Sequence, residues 1–485
     1  MKNYLKNFFS RSENVIFFIL ISTAAFLRLY RFNDFITFLG DQGRDAIILR
    51  RIITFEHFPA IGAPSSVGQV FLGPFYYYFI APWLLIFNFN PIGPALGVAF
   101  FSLLFLVLLY WIVKDLFNKS VALVSLILSA FSLVLINFSR FSWNPNLLPL
   151  SSLLFFYMLI KGFQKGKNIY FLLAGVFFGI CIQFHYVALA LLLPAFIVVA
   201  EYIYKNRSQI ILALKNILLL IIGTIIVSFP LIIFDLRHNF LNSRNFIKLF
   251  SDQGASADKG LLEILNTFNE FNKIVFNVTI NQTVSALILL ALVILTVYFY
   301  RKNIHLKYIL IFFIGALLLT SFYTGRKIPH YFGALYPFYF ILLAYLLHYL
   351  MNRKFFLILL IFFSFYITFQ SKGYYFLTNQ GNFQIEKSQN IAKKILDNVN
   401  SPTNKFQVTG LPDKYSDSTY RYFLELWGKR PLAKDSLDKA EELFVICESE
   451  CSPIGDPQWD IAYFAPRKIT QEWKIDERYI YKLER

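Results

Sequence analysis

The residues able to do chemistry in this chain gather in five short runs. The densest is Gly40-Asp41-Gln42-Gly43-Arg44-Asp45, where glycines let the backbone turn tightly and hold a carboxylate near a partner. A second, Ser139-Arg140-Phe141-Ser142-Trp143-Asn144-Pro145-Asn146, sets one arginine among aromatic and amide side chains, which suits a phosphate or a sugar hydroxyl. The others are Gln183-Phe184-His185-Tyr186, Asp235-Leu236-Arg237-His238-Asn239 and Gly325-Arg326-Lys327-Ile328-Pro329-His330-Tyr331. Bland readings stand beside the chemical ones. Asp41 could cap a juxtamembrane helix, Arg140 could snorkel from an interfacial belt, His185 could be a packed, hydrogen-bonded residue, and the 235–239 run could be a helix terminus with a local ion pair. The last run concentrates Arg326, Lys327 and His330, which anion binding explains better. Together the carboxylates, cations and aromatics suit a reaction on an amphiphile with a phosphate headgroup. A carboxylate takes a proton from an acceptor hydroxyl, and cations stabilise the departing phosphate. No His, Asp and Glu set has metal-ligand spacing, so no metal or other cofactor is expected, although loop carboxylates could hold a divalent ion loosely.

These runs need elements to position them, and composition says what kind. Of 485 residues, 57% are hydrophobic, 19% aromatic and only 15% charged. A soluble domain cannot hide that much apolar surface, so lipid must be the solvent for most of it. Apolar stretches at Asn14–Tyr30, Ile92–Val113, Val121–Asn137, Ile217–Phe234, Val284–Tyr300 and Tyr331–Leu350 approach or exceed the roughly 20 residues that cross a bilayer. The first, flanked by Lys2, Lys6 and Arg11 and without a small-residue cleavage site, reads as a signal anchor. A net charge of +17 is explained by cytoplasmic loops that collect Lys and Arg, not by a nucleic-acid partner.

Those loops also give a direction. Lys114 and Lys119; Lys161, Lys165 and Lys167; Lys205, Arg207 and Lys215; Arg301, Lys302 and Lys307; and Arg353 and Lys354 all fall inside only if Phe71–Phe87 dips in and returns. Pro74 and Pro82 favour that re-entrant reading. The expected fold is then an α-helical polytopic membrane protein of about eleven transmembrane helices, with the N-terminus inside. Two short spans, Ile169–Ile182 and Val187–Tyr202, are joined by the outer turn at His185. Residues 1–370 form the transmembrane domain, with outer loops 32–70 and 235–283. Residues 371–485 form a small extracytoplasmic α/β domain, with helices at Glu386–Val399 and Tyr415–Gly428 and strands at Lys405–Thr409, Glu442–Cys447 and Tyr479–Leu483. Arg28 and Arg31, at the outer end of the first helix, either snorkel to headgroups or face a functional anion. Cys181 reads as inert packing, whereas Cys447 and Cys451 are left open between thiols and a small disulfide loop.

The first outer loop, followed by Gly73-Pro74-Phe75-Tyr76-Tyr77-Tyr78, resembles the GT-C glycosyltransferases, in particular bacterial relatives of protein O-mannosyltransferases and aminoarabinose transferases. Ser139-Arg140 through Pro145, Gly179 to His185, and His330-Tyr331-Phe332 leading to Leu335-Tyr336-Pro337 extend the likeness over roughly residues 14–350. The resemblance implies inverting transfer of a sugar from a polyprenyl-phosphate donor to an envelope glycan, lipid or protein acceptor at the outer face of the plasma membrane. By motif, Asp41 is the base. Asp45, one helical turn on, is a second carboxylate. Arg44, Tyr76, Tyr77, Arg140, Asn144, His185, Arg326, Lys327 and His330 are the expected substrate-binding residues. The chain departs from the family at Gln42, where an acid is common, and at Leu72-Gly73-Pro74-Phe75, where the family often shows His-Pro-Pro-Leu. A carrier or flippase for a lipid-linked sugar, which would want charges deep within spans, and an envelope scaffold are the rival classes.

Overall fold

The computed structural model describes residues 12–65, 69–252, 261–301, 303–323, 325, 327–351, 356–401, 405–413, 416–434 and 436–485. Lys2, Lys6, Arg11, Lys302, Arg353, Lys354 and Tyr415 lie outside the described residues. The helices are α1 (Ser12–Leu29), α2 (Gly40–Ile53), α3 (Phe75–Ile86), α4 (Ile92–Leu116), α5 (Lys119–Phe131), α6 (Leu133–Phe138), α7 (Leu148–Lys165), α8 (Asn168–Phe184), α9 (Leu192–Lys205), α10 (Ile210–Arg237), α11 (Leu241–Asp252), α12 (Leu261–Phe276), α13 (Gln282–Phe299), α14 (Ile304–Ser321), α15 (Tyr336–Met351), α16 (Phe356–Ser371) and α17 (Gln384–Leu396). After them come β1 (Phe406–Leu411), α18 (Ser418–Leu426), β2 (Glu442–Cys447), α19 (Trp459–Phe464), β3 (Lys468–Ile475) and β4 (Arg478–Glu484). Among the described residues, six helical stretches are long and apolar enough to span a membrane, and six shorter apolar helices accompany them, α3 among these. The chain is thus an α-helical multi-pass membrane protein with a small sheet-containing region at its C-terminal end.

Side chains start several helices by satisfying orphan amides. Asn118 accepts from Val121 N at 3.0 Å before α5, Asn281 from Thr283 N at 2.9 Å before α13, and Asn303 from His305 N at 3.0 Å before α14. The stretch 235–283, expected as a loop, instead holds α11 and α12. Asp235 caps α11, accepting from Asn242 N at 2.7 Å and from Ser243, and pairs with no cation among the described residues. In α12 the positions Phe268, Phe271 and Val275 recur at helical spacing and are fully buried.

The residues fall into two compact units. The first comprises Met1–Tyr30, Pro59–Tyr76 and Val98–Asn379; the second comprises Arg31–Phe58, Tyr77–Gly97 and Gln380–Arg485. In the first, α8 and α10 meet through small residues: a Cβ on Gly175 would lie 1.8 Å from Leu220 O, and one on Gly223 2.2 Å from Leu172 O. Thr224 Oγ1 donates to Gly175 O at 3.0 Å across the same contact. In the second, a four-stranded sheet runs in the order β1-β2-β4-β3, with β1 and β2 parallel and the remaining pairs antiparallel. Leu443, Val445, Ile461, Phe464, Tyr481 and Leu483 form its core, and Cys447 is disulfide-bonded to Cys451. The strand β3 and the helix α19 are additions to the elements expected from sequence, because Lys468–Ile475 alternates over a largely exposed surface and carries little apolar signal.

Candidate active site

The carboxylates of the Gly40–Asp45 run sit at the start of α2, in the second unit. Leu39 occupies the N-cap position, and Gln42 Oε1 accepts from Leu39 N at 3.1 Å. Asp41 therefore does not cap the helix. It lies in the first turn, where the helix dipole favours a negative charge, and its side chain is 52% exposed, open to a substrate. Arg44 reaches back one turn to Asp41 Oδ1 (2.7 Å, Nη1) and sideways to Asp45 Oδ1 (2.7 Å, Nη2; 3.0 Å, Nε). Asp45 is buried, its Oδ1 also accepts from the Tyr77 hydroxyl at 3.1 Å, and its Oδ2 has no hydrogen-bond partner. Burial pushes the Asp45 carboxyl up from the ordinary carboxylate range, against the pull of the Arg44 guanidinium. The structure thus gathers Asp41, Arg44, Asp45 and Tyr77: one accessible carboxylate and one buried carboxylate share a guanidinium.

In the first unit the expected ligand-binding residues divide. His185 and His330 come together, their ring centroids 5.2 Å apart, with Trp143 and Tyr331 each 4.6 Å from His330. Tyr323 closes the group at 5.0 Å from Tyr331. Burial pushes His330 down to about 4; burial, with His330 adding to it, pushes His185 down to about 3. Both imidazoles are therefore neutral near pH 7 and offer hydrogen bonds, not charge. His185 Nδ1 accepts from Val187 N at 3.2 Å. Asn144 Nδ2 donates to Phe184 O, which ties the 143–146 turn to the end of α8. The Tyr76 hydroxyl and Ser142 Oγ are 2.6 Å apart. Trp143, Tyr323 and Tyr331 were not among the expected substrate-binding residues; their only sequence signal is that they share the turns of Asn144 and His330.

The cations are placed differently from the sequence expectation. Arg140 is buried, and its guanidinium donates to Leu27 O (3.2 Å), Arg28 O (2.9 Å) and Tyr30 O (2.9 Å), the last carbonyls of α1, while lying 4.2 Å over the Phe376 ring. Its guanidinium thus supplies donors to carbonyls at a helix end, which need them. Arg28 does not snorkel to the surface. It is buried and donates to Ser102 Oγ, Ala24 O, Ala130 O and Ser129 O. Arg31 pairs with Asp34 at 2.9 Å. Lys327 pairs with Glu263 of α12 at 2.7 Å, and Arg326 lies outside the described residues. Among the described residues no three His, Cys, Asp or Glu side chains gather as a metal site.

A family model for dolichyl-phosphate-mannose-protein mannosyltransferases matches residues 72–234. No curated protein matches the chain by sequence. Among solved structures, ArnT from Cupriavidus metallidurans in the apo state aligns with a TM-score of 0.63 at 13% identity, covering 96% of this chain and 97% of that one. The same protein bound to undecaprenyl phosphate aligns at 0.61 and 12%, covering 96% and 98%. The Archaeoglobus fulgidus oligosaccharyltransferase in complex with Zn and sulfate aligns at 0.51 and 15%, covering 86% of this chain and 62% of that protein. The fold is that of the GT-C membrane proteins.

Proposed function

We propose that the protein transfers a sugar from a polyprenyl-phosphate donor to an envelope acceptor at the outer face of the plasma membrane, with inversion at the anomeric carbon. The observation that carries this reading is the α2 terminus, where an accessible Asp41 carboxylate stands beside a buried Asp45 on a common Arg44. Asp41 accepts the proton of the acceptor hydroxyl as that oxygen attacks the anomeric carbon. The bond from that carbon to the phosphate oxygen breaks, and polyprenyl phosphate leaves as the anion. Arg44 and Asp45 hold Asp41 in place, with Tyr77 orienting Asp45. Asn144, His185 and His330, with Tyr76, Arg326 and Lys327, contact donor or acceptor, the neutral imidazoles by hydrogen bonds.

Three further facts support the donor class and the sidedness. One structurally similar protein, ArnT, has been solved bound to undecaprenyl phosphate. The Cys447–Cys451 disulfide suits an oxidising compartment outside the cytoplasm. Helix α3, with Pro82 inside it, has 12 residues and rises about 18 Å, short of the roughly 30 Å hydrocarbon core, as a returning segment requires. The test is Asp41→Asn in purified, reconstituted protein, scored by release of polyprenyl phosphate and appearance of the new glycoside. Loss of a general base predicts a fall in turnover of about 10²-fold or more with the protein still folded; near-normal turnover would remove Asp41 from the role.

A further inference from the structure

We infer that the C-terminal α/β region is a positioning device for the catalytic helix, acting through Gly43 and through Glu425. The inference rests on the reading of α2 as the carrier of the base. Both elements concerned, α2 and α18, belong to the second unit.

Gly43 lies between the two carboxylates, two residues after Asp41 and two before Asp45. A Cβ placed there would be 2.4 Å from Thr419 N, 2.5 Å from Ser418 C and 2.8 Å from Ser418 O. These are backbone atoms of the first turn of α18, so no rotamer change could relieve the overlap. The turn that bears Asp41, Arg44 and Asp45 is therefore seated directly on the main chain of α18. One helical turn or two further along, the contact becomes ionic. Glu425, buried near the end of α18, accepts from Arg51 through both oxygens (Nε to Oε1 3.0 Å, Nη2 to Oε2 2.8 Å) and from Arg50 Nη1 at 3.1 Å. The two-toothed Arg51 contact fixes rotation as well as distance. Before α2, the Phe38 amide donates to Gln384 Oε1 of α17 at 2.7 Å, and the Phe38 ring packs edge-on to Phe423 of α18, centroids 5.8 Å apart. The amides of Asn382 and Phe383 donate to Asp34 O at 2.7 and 3.1 Å.

These contacts hold α2 before, at and after the carboxylate turn, and every partner comes from residues 382–425. A loop carrying a base would otherwise be free to move by an ångström or more, a displacement that costs catalysis heavily. Gly43 and Glu425 touch none of the reacting atoms; they are positioning residues. Their loss should lower kcat while leaving donor binding alone, because the carboxylate turn is misplaced only with respect to the bond being made.

The experiment uses full-length protein in nanodiscs, with Gly43→Ala and Glu425→Gln each compared with wild type by two readouts. The first is kcat and the KM for a polyprenyl-phosphate sugar, per folded molecule. The second, independent of activity, is hydrogen exchange of residues 40–53. Gly43→Ala is expected to lower kcat at least about tenfold and Glu425→Gln by a smaller factor, both with donor KM unchanged and with faster exchange in α2. If Gly43→Ala does not fold, Glu425→Gln carries the test alone. Unchanged exchange across 40–53 in the folded variants overturns the inference whatever the activity does. An active wild type whose variants keep full kcat, or lose only donor affinity, overturns it as well. A wild type that exchanges as expected but transfers no sugar instead counts against the proposed function.

Discussion

Arg140 shows how a residue singled out for its chemistry can carry a structural task. An arginine among aromatics at a helix end reads as a ligand for phosphate, yet here its guanidinium completes the C-terminus of α1. Arg140→Ala should strip donors from three carbonyls and cost about 1–3 kcal/mol, seen as a lower melting temperature, with the donor KM unmoved. A large rise in KM at constant melting temperature would restore the phosphate role. The histidine pair makes a second residue-level prediction. His330 is held at about 4 by burial, below its unfolded value near 6.5, so the unfolded state takes up the proton first as pH falls. Stability should be unaffected above about pH 6.5 and decline as pH falls toward about 4. Thermal melts across that window should show the decline in wild type and a flatter profile in His330→Gln. The α2 carboxylates were legible because Gly, Asp and Arg at short spacing leave few alternatives. Which cation is consumed by structure was not, since the carbonyls that Arg140 serves lie more than a hundred residues away in sequence.

At the scale of elements, apolar length placed the spans well: α4, α10 and α13 lie on their expected stretches within a few residues, with α10 extending seven residues earlier, Ile210 against Ile217. Two features escaped. The expected span Val121–Asn137 divides at Ser132 into α5 and α6, and the stretch 235–283, expected as a loop, contains α11 and α12. Both reflect the same limit. Mean apolarity reports where lipid is, but a break within an apolar run, or a helix of mixed polarity beside one, depends on neighbours distant in sequence. Helix α10 illustrates the opposite extreme. Only 6% of its most apolar window is buried, so its docking rests on the close approach to α8 at Gly175 and Gly223. Gly175→Val should force these backbones apart and cost about 1–3 kcal/mol or more, measured as loss of folded protein in a detergent melt. An unchanged melt would mean that the contact contributes nothing.

For the whole molecule, hydropathy fixed the class and the charge pattern proposed an orientation. The grouping of 31–58 and 77–97 with the C-terminal residues was invisible, because it depends on Gly43, Glu425 and Gln384 meeting partners hundreds of positions away. Orientation has its own test: a reporter fused after Arg485 should be active only outside the cytoplasm, and activity confined to the cytoplasm would invert the account. The central claim is that this chain makes a glycosidic bond and does not merely carry a lipid-linked sugar. It is tested most directly in vesicles loaded with a polyprenyl-phosphate sugar labelled in the sugar and supplied with an envelope acceptor fraction. The account predicts label transferred to acceptor with equivalent release of polyprenyl phosphate, both lost in Asp41→Asn. Labelled lipid crossing the bilayer with its sugar intact and no new glycoside formed would contradict it.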